Sequence, residues 1–211
     1  DMARAYQCWR QVWAHAFQEE MNVRGELYSD GFTRKSHVAI LFYGEEPLGL
    51  CTSNILNLKL QQDLDDSYFE VWPAKVQEEL KARMDKVMTC CNATINFNFR
   101  KSRLGFNSLE LLFAMMIHYM KSTEDVGGIL GTARREKGVE KICHRLEGVS
   151  LMSDLPYTIP GQFIDLILWD RNLDLNHWSP EMQELTHHIW NHSMEIIRLP
   201  SYPGVKNASS L

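Results

Sequence analysis

Ile95-Asn-Phe-Asn-Phe-Arg-Lys-Ser-Arg-Leu-Gly-Phe-Asn-Ser-Leu-Glu-Leu-Leu-Phe-Ala-Met-Met-Ile-His-Tyr-Met120 changes its hydrophobic period halfway along. The segment Met88 to Phe99 is β-prone and reads as extended, whereas Leu109, Leu112, Phe113, Met116, Ile117 and Met120 recur on one helical face. Between them lies a short basic loop carrying Gly105. Asn107 is a good N-cap, and Glu110 three residues later completes a capping-box pattern. A strand that enters a helix through such a loop presents consecutive backbone N–H groups, here Leu104, Gly105, Phe106 and Asn107, with the helix dipole behind them. Arg100, Lys101 and Arg103 add positive charge. The combination suits the phosphates of a pyrophosphate or phosphopantetheine group.

Toward the C-terminus, Val126 to Gly131 reads as a strand and Thr132 as a cap. Arg134, Arg135 and Lys137 open the next helix, whose buried face is Val139, Ile142, Cys143 and Leu146. Gln162 to Trp169 is a strong strand, and a helix follows from about Pro180 to Ile197. Toward the N-terminus, Val76, Leu80, Met84 and Val87 mark a helix, and the acidic stretch Gln61 to Pro73 reads as a loop. His37 to Tyr43, Gly44 to Pro47 and Leu48 to Leu60 form strand, turn and strand. Tyr6, Trp9, Trp13, Ala16 and Phe17 belong to an opening helix. The expectation is one α/β domain over 1–211, with an N-terminal helix at 1–24, a core at 37–169 and a C-terminal helix at 180–197.

The 211 residues, 45% apolar and 23% charged, are long enough and apolar enough for a packed core. A net charge of -5 excludes the broad positive field of a nonspecific nucleic-acid binder, so an anion site must be local. The five cysteines contain no CxxC pair, and Cys90 and Cys91 are adjacent, which favours a reducing cytoplasm. The longest apolar run, Leu111 to Ile117, falls far short of the ~20 residues that span a bilayer, so no transmembrane segment is expected.

The order of elements from Val38 to Trp169 resembles the GNAT acyltransferase superfamily. Ser102-Arg-Leu-Gly105-Phe-Asn107 approximates its Q/R-x-x-G-x-G/A loop. Within it the chain is most similar to long-chain N-acyl amino acid synthases and, more distantly, to acyl-homoserine lactone synthases. Arg10-Gln-Val12-Trp13, Phe17-Gln-Glu-Glu-Met21 and Asp30 match their opening pattern. Thr33, the stretch Gly49-Leu-Cys-Thr52, and Phe97 in place of the Glu of E-x-x-R depart from the lactone synthases. The resemblance therefore implies N-acylation rather than lactone synthesis.

It implies a GNAT-like central mixed sheet flanked by helices with a C-terminal helical extension. The donor is acyl-CoA or acyl-phosphopantetheine on acyl carrier protein, the acceptor a small-molecule amine or amino acid, and no prosthetic group is needed. It also implies that backbone donors at Phe97, Asn98 and Phe99 polarise the thioester carbonyl. His144-Arg-Leu-Glu-Gly-Val149 is similar to the family's Y-x-x-x-G-F, which places His144 where a Tyr protonates the thiolate. Candidate bases are Glu19, Glu20 and His37. A non-catalytic GNAT-like binding module and a short-chain acetyltransferase are the alternatives.

Three other constellations carry blander readings. Glu184, His188 and His192 follow at i, i+4 and i+8, a spacing open to a metal, yet Glu184 and His188 fall on the polar side of a helix with His192 nearer its edge, and no metal is expected. Met115, Met116 and Met120 suit either core or an acyl tunnel. Asp63, Asp65 and Asp66 lack an EF-hand loop and read as a charged turn.

Overall fold

A computed structural model describes residues 1–20, 27–100, 104–157 and 161–192, with Glu19 and Glu20 described by backbone alone. Helix α1 (Met2–His15) ends in a π-helical turn, Ala16–Glu20, and the short α2 (Asp30–Thr33) precedes strands β1 (His37–Tyr43), β2 (Glu46–Ser53) and β3 (Ile55–Asn57). Next come α3 (Gln61–Leu64), α4 (Ala74–Arg83), β4 (Lys86–Ile95), α5 (Ser108–Ser122), β5 (Gly128–Arg134), α6 (Val139–Arg145), β6 (Val149–Pro156), β7 (Phe163–Asp170) and α7 (Pro180–His192). The sheet runs β1-β2-β4-β5-β7-β6, with β3 continuing the line of β2 along β4. Among the described strands only β4 and β5 pair in parallel, so the sheet is mixed.

Alternation along the strands sorts the core onto two faces. Met88, Ile129, Ile167 and Trp169 join α5, α6 and α7 on one face. Val87, Leu130, Leu166 and Leu168 meet α4 and the aromatic segment Phe69 and Trp72 on the other. Beside that second cluster, α1 lays Ala5, Cys8 and Trp9 over Leu50 and Phe32. Helix α5 is apolar nearly all round, because Leu111 to Ile117 are all buried between the sheet and α7. Its C-terminal carbonyls converge on one guanidinium: Arg171 donates to Met120, Lys121, Thr123 and Val126 at 2.6 to 3.3 Å.

Several expectations are corrected. The helix expected to reach Val87 stops at Arg83, and Met84 is already extended, because Met84 and Val87 belong to the strand side of the Leu80 core. Thr132 is no cap: it lies inside β5, paired with Leu166, and α6 begins after Gly138 at φ +66°. The stretch Leu48 to Leu60 is two strands, broken where Asn54 bonds Thr89. Gln61 to Pro73 holds α3 and a 3-10 turn, Ser67–Phe69, in place of a plain loop. In that segment Asp63 accepts from the Asn57 amide, Asp65 from Gln61 and Asp66 from the Tyr68 amide, so all three carboxylates serve local bonds. Strand β6 was not legible at all. The 21–24 end of the first helix and 193–197 of the last lie outside the described residues.

Candidate functional site

Strands β4 and β5 pair from Val87↔Gly128 to Cys90↔Gly131 and then part, although β4 runs on to Ile95 and β5 to Arg134. A bulge bends β4 at this point. Asn92 takes φ +51°, a conformation Asn tolerates better than most side chains, and its amide holds the Gly31 carbonyl at 2.8 Å. Beyond the bulge the Asn96 amide donates to the Leu48 carbonyl, so the preceding Gly49↔Ile95 pair turns its peptide groups away from β2. Ile95 therefore faces the gap, and its carbonyl accepts from Arg100 Nε at 3.1 Å on that side.

The loop out of β4 begins with a 3-10 turn, Phe97–Phe99, where extended chain was expected. Asn96 Oδ1 accepts the Asn98 amide and its carbonyl accepts the Phe99 amide. Asn98 and Phe99 thus spend their N–H groups inside the turn, a correction to their expected place as carbonyl donors. The Arg100 guanidinium lies 4.4 Å from the Phe97 ring centre. Lys101, Ser102 and Arg103 fall outside the described residues. Gly105 adopts φ +79°, and no atom stands within 4 Å of where its side chain would begin. Among the described residues, the Gly105 and Phe106 amides have no hydrogen-bond partner. Asn107 does cap α5, accepting from the Leu109 and Glu110 amides at 3.0 and 3.1 Å. Glu110 does not return the capping-box bond; Arg145 of α6 takes its carboxylate at 2.6 Å. The pairing offsets a negative charge that would otherwise face any anion at the loop. Leu104 to Asn107 border an open pocket of about 350 Å³ against the start of α7.

His144 sits near the end of α6. Its Nδ1 is 2.7 Å from the Gly148 carbonyl, which can only accept, so Nδ1 carries the proton; Nε2 lies 3.3 Å from Ser150 Oγ. Gly148 is required by packing, since a Cβ there would come within 2.9 Å of Cys143, Ile167 and Trp169. His37 begins β1, bonds Ser36 through Nδ1 and rests its ring on Tyr119, and burial lowers its pKa. The Ser150 partner of His144 is on β6 and His37 is on β1, at opposite edges of a sheet whose strands lie ~4.8 Å apart, roughly 24 Å in all. The two histidines cannot serve one carbonyl. His144 is the one at the donor-loop end, because Arg145 beside it grips the first turn of α5 whereas His37 touches its last turns. The side chain of Glu20 lies outside the described residues.

Sequence reading missed Ile95, whose use depends on a peptide direction fixed by the bulge, and Tyr68. The Tyr68 hydroxyl donates to the Leu130 carbonyl at 2.6 Å, and burial pushes its phenol well above the ordinary range. On α7, Glu184, His188 and His192 are exposed, and no group of three metal-ligating side chains able to hold an ion occurs among the described residues. No described helix is long and apolar enough to cross a membrane.

No protein-family model and no curated protein matches the sequence. Solved structures do match in shape. FeeM, an N-acyl amino acid synthase from uncultured soil microbes, has a TM-score of 0.55 at 11% identity over 84% of this chain and 91% of its own. NAA60 of Arabidopsis thaliana, in complex with a bisubstrate analogue, scores 0.51 at 12% identity over 79% and 92%. TofI, in a ternary complex with an inhibitor and MTA, scores 0.50 at 11% identity over 86% and 92%. Identities this low speak for the fold and leave the chemistry to the site. The chain has the fold of the GNAT acyltransferases, a mixed sheet that opens between its two parallel strands.

Proposed function

We propose that this protein is an N-acyltransferase moving a long acyl group from a CoA or acyl carrier protein thioester to the amine of a small molecule or amino acid. The observation that carries the reading is the parting of β4 and β5 after Cys90↔Gly131, beside the amides of Gly105 and Phe106 at the head of α5, which bond to nothing among the described residues. An extended acyl chain fits such a gap as a missing strand would, with the phosphate of its carrier beyond the mouth at the loop and the helix dipole.

The Ile95 amide then polarises the thioester carbonyl and holds the oxyanion as the neutral amine attacks. The new C–N bond forms, the C–S bond breaks, and one proton must pass from the attacking nitrogen to the leaving thiolate. His144 supplies that path: with Nδ1–H tied to Gly148, its Nε2 exchanges the longer 3.3 Å contact with Ser150 Oγ for the proton and returns it to sulfur. Long acyl chains are supported by the apolar residues that border the gap on β4, Cys90, Ala93 and Ile95.

Calorimetry with dodecanoyl-CoA tests the reading. The wild type is expected to bind, and Gly105→Asp, which puts a carboxylate where the amides face phosphate, to weaken binding by ~10-fold or more. Unchanged affinity in a folded Gly105→Asp protein would exclude the loop as the anion site. A wild type that binds neither acyl-CoA nor acyl carrier protein would favour a non-catalytic module.

A further inference from the structure

The gap between β4 and β5 has a measurable depth and a closed end. Along β2, Gly49 pairs with Ile95 and Thr52 with Cys91, three residue steps that one bulged residue stretches to four on β4. Adding the step to Cys90, the Ile95 amide stands about 13 Å from the last shared rung at ~3.3 Å per step. At that rung Cys90↔Gly131, the last pairing of the ladder, closes the gap within the plane of the sheet.

Both faces are closed there as well. On the α5 face the Trp169 ring lies 3.2 Å from where a Gly131 Cβ would stand, itself held by Phe113 at 5.5 Å between ring centres, and the Cys90 Cβ is 3.9 Å from that same point. On the opposite face Tyr68 reaches the Leu130 carbonyl, one residue short of the rung. Tyr68 is fixed from behind by the Asp66 cap on its amide and by Trp72, 5.8 Å away. Cys90 is half-buried at the junction, backed by Cys51 with the two sulfurs 3.3 Å apart.

We infer that Tyr68, Cys90 and Trp169 form the floor of an acyl-chain channel and set the chain length it holds. This rests on the proposed seat of the thioester carbonyl at Ile95. An extended chain advances about 1.3 Å per carbon–carbon bond, so 13 Å holds a chain of about ten carbons. Each methylene added within that depth strengthens binding roughly fourfold, and methylenes beyond it gain nothing. The floor is asymmetric in its consequences: removing the Tyr68 ring opens a way toward the cluster of Phe69 and Trp72, whereas bulk at Cys90 raises the floor.

The test measures dissociation constants and single-turnover rates for acyl-CoA donors of four to sixteen carbons on wild type, Tyr68→Ala and Cys90→Leu. Affinity in the wild type is expected to climb to about ten carbons and then level. Tyr68→Ala should move the break to longer chains by about three carbons, a gain of ~50-fold or less for tetradecanoyl-CoA, and Cys90→Leu should move it shorter by about two. If Tyr68→Ala fails to fold, Cys90→Leu alone decides through its opposite shift. A length profile that folded variants leave unmoved would overturn the floor while leaving the acyltransferase reading intact. A wild type that binds no acyl-CoA of any length would overturn both.

Discussion

His144 has Nδ1 committed to the Gly148 carbonyl at 2.7 Å and Nε2 held by a longer 3.3 Å contact with Ser150 Oγ, which a proton carrier can exchange. The Gly148 carbonyl fixes the tautomer, so in the neutral ring Nε2 can accept a proton but not donate one. It must therefore take a proton before it can serve the thiolate. His144→Gln is expected to slow single-turnover acyl transfer ~100-fold to 10,000-fold while donor affinity stays within about twofold. A wild-type rate in that variant would return His144 to capping the end of α6. This site was legible as a motif because Gly148, forced by the closeness of Trp169, stands four residues on. Asn107 was legible as a cap for the same local reason. Ile95 and the spent amides of Asn98 and Phe99 were not, since peptide direction depends on a bulge and a turn that side-chain patterns do not report.

Among elements, α7 docks on α5 through a histidine placed between two indoles. His118 stacks on Trp190 at 5.6 Å and meets Trp178 edge-on at 5.8 Å. Burial first, then the neighbouring His187 and Lys121, lower its pKa below the ordinary 6.5. The unfolded chain then binds the proton more readily than the folded one, so folding stability is full above about pH 6.5 and declines as the pH falls below it. Thermal melts at pH 7 and 5 should show the loss, and His118→Gln should reduce it. Part remains, because His37 is lowered by burial in the same direction. A melting temperature equally pH-dependent in both proteins would remove His118 from the account. Helices α5 and α7 were legible from their apolar periods. Strand β6 was not, because it is a sheet edge with two register shifts against β7, and Ser150, Ser153 and Asp154 interrupt any alternation. Thr132 was misplaced because a β-branched residue before a basic turn satisfies both the strand and the cap pattern until its pairing with Leu166 is known.

At the scale of the whole molecule, the succession of strand, helix, strand and helix from β4 to α6 was readable, and with it the mixed sheet. What was not readable is that β4 and β5 share only four rungs, since nothing in the alternation of Cys91 to Ile95 or Thr132 to Arg134 distinguishes a paired strand from a parted one. The proposed activity requires that gap to be where an acyl thioester lies. Amide NMR during a titration with dodecanoyl-CoA tests it most directly. Saturable shifts are expected at Ile95, Gly105 and Phe106, with Lys59 and Asp85 at the far end of β4 unmoved. Saturable binding that shifts His187, His188 and His192 on the exposed face of α7, away from the loop, and leaves Ile95 and Gly105 still would contradict that placement.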